Sequence, residues 1–275
     1  MQQPSELPFI SCKCITYGRV EMLEESLNAF LKQDYPADKC ELIIVNDYPL
    51  QKLKFDHPQV KIVNLDYTFS TIGEKENYAT ELCQGDVICQ WDDDDVAAPW
   101  HLQNVAKYFT DDVNILHWNP GVFYNGNAIT DITWIGNSGI VFRKSAWKAI
   151  GGHPIENAGY DMTFIERLHK HGGRLFAEPP KAEASWFYMW GGRSYHMSGQ
   201  GHDKPGQPNA IQRHSAHVEN LRQQGKISTG DVELKPHWKY DYVQMLDIFV
   251  KSKYGTSRTT TVHDISQKQV SRQIP

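Results

Sequence analysis

The sequence lacks any long apolar run, any surplus of basic charge and any paired cysteine spacing. No stretch approaches the roughly 20 apolar residues that a bilayer-spanning helix needs. The opening MQQPSELPFISC has none of the basic-then-apolar pattern of a secretory signal. A net charge of -5 provides no general attraction for nucleic acid, which shows itself as a basic excess. The 5 cysteines, Cys12, Cys14, Cys40, Cys83 and Cys89, are odd in number and offer no C-x-x-C pair, so no zinc site is expected. They read as reduced, structural thiols that behave as small hydrophobes. Internal repeats are absent as well. Together these absences predict a cytoplasmic protein without a transmembrane segment or a nucleic-acid partner.

What is present is the composition of a globular chain of 275 residues, 40% hydrophobic and 22% charged, long enough to bury a large core. PFISCKCIT, CELIIVND, VKIVNLDY and DVICQW read as strands. EMLEESLNAFLKQ, with Met22, Leu23, Leu27, Phe30 and Leu31 at helical spacing, and GEKENYATELCQG, closed by Gly85, read as helices. Strand and helix alternate with short loops, which predicts an α/β fold with a mainly parallel sheet. Ligands gather at the carboxyl ends of such strands. Tyr17, Gly18 and Arg19, then Asn46 and Asp47, then Asp92 to Asp95 should therefore meet along one edge.

In the second half, WIGNSGIVFRKSAWKAIGG reads as a strand and a short helix ended by glycines. YDMTFIERLHKHGG is a helix with Met162, Ile165 and Leu168 on one side. The chain from about 178 to 215 is rich in Gly, His, Pro and aromatics without periodicity, as a long functional loop would be. WKYDYVQMLDIFVKS is an amphipathic helix striped by Trp238, Tyr242, Leu246 and Phe249, and it is expected to pack on the core. The divisions expected are a first half (1–118), a second half with a flexible loop (119–225), and a C-terminal helix with a polar tail (226–275).

Four adjacent aspartates in GDVICQWDDDDVAAP need something to offset their repulsion. Two charges about 6 Å apart at an effective dielectric near 20 repel by about 3 kcal/mol. Mg²⁺ and Mn²⁺ take oxygen ligands, and a protein commonly supplies one or two carboxylates while substrate phosphates complete the shell. Asp92 with Asp94, or Asp93 with Asp95, suits that task; an acidic turn capping a helix near Pro99 is the competing explanation. An EF-hand is excluded, because the alternating ligands, central Gly and final Glu do not follow.

ISCKCITYGR, LEESLNAFLKQDYP, ELIIVND, the run from IGEKENYATELCQGDVICQWDDDD to AAPWHL, GNSGIVFRKSAWKAIGG and YDMTFIERLHKHGG together resemble a GT-A glycosyltransferase of the family 2 type over roughly residues 8 to 200. The resemblance implies a Rossmann-like nucleotide-binding half continuous with a smaller acceptor-binding half. It implies inverting transfer from a nucleotide-diphosphate sugar, commonly UDP-linked, to a hydroxyl acceptor such as a surface polysaccharide or glycolipid, with Mn²⁺ or Mg²⁺. Any contact with a lipid-linked acceptor would be peripheral to the membrane. Thr16, Tyr17 and Arg19 would line the nucleotide, Asp47 would bond the base or ribose, and Lys75 and Asn77 would approach the nucleotide. Asp92 and Asp94 would hold the metal and sugar diphosphate, with Asp93 and Asp95 supporting or capping. Asp161 would be the base that takes the acceptor proton.

The chain departs from the family pattern at Gly18, Asn46, Glu76 and Tyr160. In the loop SWFYMWGGRSYHMSGQGHDKPG, Arg193 is a candidate for the diphosphate, and His196 and His202 are candidate metal ligands. Trp186, Trp190 and Tyr195 are candidates to stack on an acceptor ring. Two other readings remain: a nucleotidyltransferase, disfavoured because TYGRVEM offers a single Gly for a phosphate loop, and a non-catalytic nucleotide-sugar-binding protein.

Overall fold

Every residue of CELIIVN is buried, the signature of a central parallel strand covered on both faces. The computed structural model, which describes residues 7–110, 113, 115–116, 121–132, 138–171, 180–189 and 206–255, places this segment inside a six-stranded sheet. The elements in chain order are β1 (Ile10–Thr16), α1 (Val20–Leu31), β2 (Cys40–Asn46), β3 (Gln51–Lys54), β4 (Val60–Asn64), α2 (Ile72–Leu82), β5 (Val87–Gln90), β6 (Val96–Ala97), α3 (His101–Tyr108) and β7 (Ile115–Leu116). They continue as β8 (Gly121–Tyr124), β9 (Ile129–Ile132), β10 (Val141–Arg143), α4 (Lys144–Ala149), α5 (Tyr160–His171), β11 (Trp186–Met189), α6 (Ala210–Gln223), β12 (Gly230–Glu233) and α7 (Tyr242–Tyr254).

The large sheet runs β4-β2-β1-β5-β10-β7. Its first four strands are parallel, and β10 lies antiparallel to both β5 and β7. Side chains of β2 alternate between two cores. Leu42 and Ile44 face α1, α3, β11 and α7, whereas Ile43 and Val45 face α2, α4 and α5. Each fully buried Leu or Ile contributes about 1.5–3 kcal/mol. A second sheet, β6-β11-β8-β9, stands beside the first, and β3 pairs in parallel with β12. All 5 cysteines are free and buried, as packing thiols should be.

Several details differ from the sequence reading. Gly85 does not close α2: the helix stops at Leu82 and Cys83 is extended. A Cβ on Gly85 would lie 2.8 Å from the Phe9 carbonyl oxygen, so the glycine permits a close approach instead. On α5 the buried residues are Phe164, Ile165 and Leu168, while Met162 is 45% exposed. The segment read as a loop to about 215 contains β11 and the start of α6. Trp186 is a fully buried member of that strand, set edge-on against Trp91 with centroids 5.5 Å apart, and so packs the core instead of facing an acceptor. The last helix begins at Tyr242 under an Asp241 cap, after Trp238. It packs on the core, with the Tyr242 hydroxyl donating to Glu25 Oε2 at 2.5 Å.

Candidate active site

The carboxyl ends of β1, β2 and β5 do converge. Leaving β1, the chain turns at Gly18, whose φ is +70°, and Arg19 opens α1 without a side-chain cap. Its guanidinium is engaged elsewhere. Nε donates to Asp93 Oδ2 at 3.1 Å and Nη1 to Asp94 Oδ2 at 2.9 Å, while Nη2 pairs with Asp93 Oδ1. Beyond β2, Asp47 is 2% exposed. It forms an ion pair with Lys75 and accepts the Phe69 N–H at 3.1 Å. Lys75 Nζ also donates to the Thr16 carbonyl at 2.7 Å. Lys75 is delivered by α2, whose start is fixed by a capping box of Thr71 and Glu74.

Each aspartate after β5 has its own partners. Asp92 accepts from Gln90 Nε2 and from Ser138 Oγ, both at 2.6 Å. Asp93 and Asp94 share Arg19. Asp95 accepts from Trp186 Nε1 at 3.1 Å and from the Met189 N–H at 2.9 Å. None of them caps a helix: α3 begins at His101 with Trp100 before it and no side-chain cap. Burial, then repulsion from Asp94, pushes the Asp92 carboxyl up to about 7 against the pull of Gln90 and Ser138. Burial raises Asp93 to about 6 although Arg19 holds it down. Burial, then Asp94 and Asp92, raises Asp95 as well. Burial alone would lower Arg19, but Asp93, Asp94 and Asp92 raise it above its ordinary value.

Asp161 lies in the first turn of α5 and accepts the Met162 N–H at 2.9 Å. Burial raises its pKa, opposed by backbone hydrogen bonds and assisted by Glu76. Its helix is brought to the aspartates through α2. Gly73 packs so closely on the turn before α5 that a Cβ there would lie 1.8 Å from the Pro154 oxygen, and its N–H donates to Glu156 O at 3.2 Å. Buried Glu76 accepts from Tyr160 Oη at 3.4 Å and from Gln90 Nε2 at 3.3 Å, and it pairs with fully buried Lys13. Gln90 therefore bridges Glu76 and Asp92. A continuous polar path joins the start of α5 to the aspartate run.

A cavity opens beside Arg19 and the Asp47–Lys75 pair. Of the residues expected to meet a nucleotide, Thr16, Tyr17, Arg19, Asp47 and Lys75 line it. Asn77 is directed elsewhere. Its Oδ1 accepts from His153 N at 2.7 Å and Trp147 Nε1 at 3.0 Å, and its Nδ2 donates to His153 O at 2.9 Å. It thereby fixes the turn after α4. Arg193, His196 and His202, with Trp190 and Tyr195, lie outside the described residues. Thr68, Ile72, Ile211, His214 and Ser215 also line the cavity and were not anticipated. The available signal for the last three was Asn209 and Gln212 at capping-box spacing, which opens α6.

Among the described residues no group of three His, Cys, Asp or Glu side chains could hold a metal ion by itself. The donor chemistry nevertheless fits Mn²⁺ or Mg²⁺. Hard carboxylate oxygens stand side by side, and burial, with repulsion from Asp94 added, pushes Asp92 and Asp93 up to about 7 and about 6. A cation of this kind takes one or two carboxylates and completes its shell from phosphate oxygens. Asp94, at 13% side-chain exposure, together with Asp92 would hold it.

A mainly parallel sheet with a carboxylate run after a central strand, a cavity at the carboxyl edge of that sheet and a second carboxylate from the other half place the chain in the GT-A class of glycosyltransferases. Residues 13–173 match the model of glycosyl transferase family 2, and the chain belongs to that family. Solved structures share the fold. TarS 1–349 of S. aureus in complex with UDP-GlcNAc is 15% identical with a TM-score of 0.54, covering 91% of this chain and 74% of that one. The mannosyltransferase PcManGT of Pyrobaculum calidifontis, in complex with GDP-Man and Mn²⁺, is 16% identical with a TM-score of 0.54, covering 91% and 73%. This chain spans 60% of the TarS 1–349 chain in one alignment and 44% of another TarS chain. No curated protein matches the sequence. No helix among the described residues is long and apolar enough to cross a membrane.

Proposed function

We propose that the chain moves a sugar from a nucleotide-diphosphate donor, UDP-linked, to a hydroxyl acceptor with inversion at the anomeric carbon, assisted by Mn²⁺ or Mg²⁺. The observation that carries this reading is the shared edge. The Asp47–Lys75 pair and Arg19 line one cavity, and the aspartate run is tied through Gln90 and Glu76 to the helix that bears Asp161. Asp47, Thr16 and Tyr17 hold the nucleoside, and Lys75 and Arg19 supply positive charge toward the diphosphate. Asp161 takes the acceptor proton as the acceptor oxygen bonds to the anomeric carbon, and the bond from that carbon to the diphosphate oxygen breaks. A single displacement of this kind inverts configuration. The raised pKa of Asp161 brings the base toward the working pH, where general-base catalysis is most effective. When bound, the divalent cation neutralises charge on the departing diphosphate. The acceptor class proposed is a surface polysaccharide or glycolipid intermediate.

The test is a panel of UDP- and GDP-sugars with Mn²⁺ or Mg²⁺, scored for binding and for slow donor hydrolysis. One donor should bind and turn over, and NMR of the transferred sugar should show the inverted anomer. Absence of binding across the panel overturns the reading; a retained anomer overturns the single-displacement step.

A further inference from the structure

Helix α6 begins 37 residues past the end of the family match, yet it reaches the donor cavity. Ile211, His214 and Ser215 stand three and four residues apart, which places them on one face of a helix, and all three line the cavity. One turn further, Val218 on the same stripe meets Gly18. A Cβ added to Gly18 would lie 2.7 Å from Val218 Cγ1, at a φ of +70°. The departure from the family pattern at Gly18 is thus matched to the seating of α6. The His214 ring lies 5.5 Å from Tyr17, which in turn lies 4.8 Å from Tyr48.

The far end of α6 is also fixed to the first half. Gln51 Nε2 donates to Ser228 O at 2.6 Å, Gly230 N donates to Leu50 O at 2.8 Å, and β12 pairs with β3. These contacts hold the helix over the turn that carries Tyr17 and Arg19.

We infer that α6 roofs the donor pocket, and that His214 and Ser215 contact the nucleoside of a nucleoside diphosphate. The inference rests on the donor reading above and adds residues beyond the family match. Burial, together with Arg19 and Lys75, lowers His214 to about 3. Its ring is therefore neutral, suited to a base or ribose and not to the diphosphate charge. Ser215 adds a hydroxyl that can donate or accept.

The experiment is calorimetric binding of UDP and of GDP, each with Mn²⁺, to the full chain and to His214→Ala, Ser215→Ala and the outward-facing control Asn220→Ala. Hydrogen exchange of residues 210–218 in the wild type is followed with and without nucleotide. One aromatic contact to a base contributes about 1–3 kcal/mol, so His214→Ala should weaken the preferred nucleotide by about fivefold or more. Ser215→Ala should weaken it by about threefold to tenfold. Asn220→Ala should bind as the wild type does, and nucleotide should slow exchange across α6. The exchange readout needs no variant, so the inference stands or falls even if a substitution fails to fold. Wild-type binding with unchanged exchange and unchanged variants overturns the role of α6 alone. Absence of wild-type binding to both nucleotides overturns the donor reading and this inference with it.

Discussion

Arg19→Gln removes the guanidinium held between Asp93 and Asp94. The arginine donates through three nitrogens, with side-chain exposures of 21% for Arg19, 1% for Asp93 and 13% for Asp94. Breaking a buried ion pair by deleting one partner costs about 3–5 kcal/mol. The partial exposure of Arg19 favours the lower end, about 3 kcal/mol. At about 2–4 °C per kcal/mol for a chain of this size, the melting temperature should fall by about 6–12 °C at about pH 8.

The loss should depend on pH, with a sign set by the carboxyls. Asp92 and Asp93 titrate in the fold at about 7 and about 6, above the ordinary value near 4. Between those limits these two groups bind more protons in the folded state than in the unfolded chain, so their contribution to stability is fully present below about pH 4 and is lost as pH rises toward about 7. In Arg19→Gln the Asp93 carboxyl loses the charge that held it down, so its pKa rises further and it is protonated at about pH 5. The melting-temperature deficit should therefore shrink by half or more at that pH. Added Mn²⁺ replaces the missing positive charge and should raise the melting temperature of the variant more than that of the wild type. Scanning calorimetry at the two pH values, with and without Mn²⁺, reads all of this. An equal deficit at both pH values, or one smaller than about 2 °C at the higher, refutes the assignment of Arg19 as the resident counter-charge.

Asp161→Asn should lower transfer by about 10²–10⁴-fold while calorimetric affinity for the donor nucleotide stays within about twofold; undiminished transfer removes the base. Chelation with EDTA should abolish donor turnover and Mn²⁺ should restore it, and turnover that persists in chelator leaves Arg19 and Lys75 as the sufficient cations. Glu76→Gln leaves the fully buried Lys13 without its counter-charge and should cost about 3–5 kcal/mol in urea unfolding. Lys13→Met combined with Glu76→Leu should recover most of that loss, and failure of the double variant to recover places the cost in the Glu76 contacts to Gln90 and Tyr160.

The parts of the fold that were legible in advance are those governed by local pattern. β1, β2 and β5 are short, apolar and bounded by turns, and α1 carries its apolar residues at helical spacing. The strand β3 escaped notice because QKLK is only 4 residues long and its partner β12 lies far along the chain. Helix α6 escaped because AIQRHSAHVENLRQ is mostly polar, and its buried stripe of Ala210, His214 and Val218 includes a histidine. On α5 the helix was legible but its phase was not: Phe164 took the buried place expected for Met162. In the site, Tyr17, Arg19 and Asp47 were legible because each follows a strand, whereas Thr16 and Lys75 were expected at the nucleotide from the family resemblance; all five line the cavity. Asn77 went elsewhere because an amide both donates and accepts: its Nδ2 donates to His153 O, and its Oδ1 accepts from His153 N–H and Trp147 Nε1.

The aspartate run shows why such pairings resist local reading. Repulsion among four adjacent carboxylates demands compensation, but the sequence around them supplies only Gln90, which donates to Asp92; the other compensating groups arrive from other elements. Arg19 comes from the start of α1, 74 residues away from Asp93. Ser138 arrives from before β10, and Trp186 and the Met189 N–H from β11. The run is therefore divided in function. Asp95 joins the two sheets, Asp92 is oriented by neutral donors, and Asp93 grips Arg19. Asp94 is the more exposed partner of the same arginine, and under the proposed function it is the carboxylate that would turn to a divalent cation. On the proposed reading a pair, Asp92 and Asp94, would serve the metal; a chain with only that pair would lose both the tie between the sheets and the bidentate hold on Arg19, which is a physical reason for a run of four.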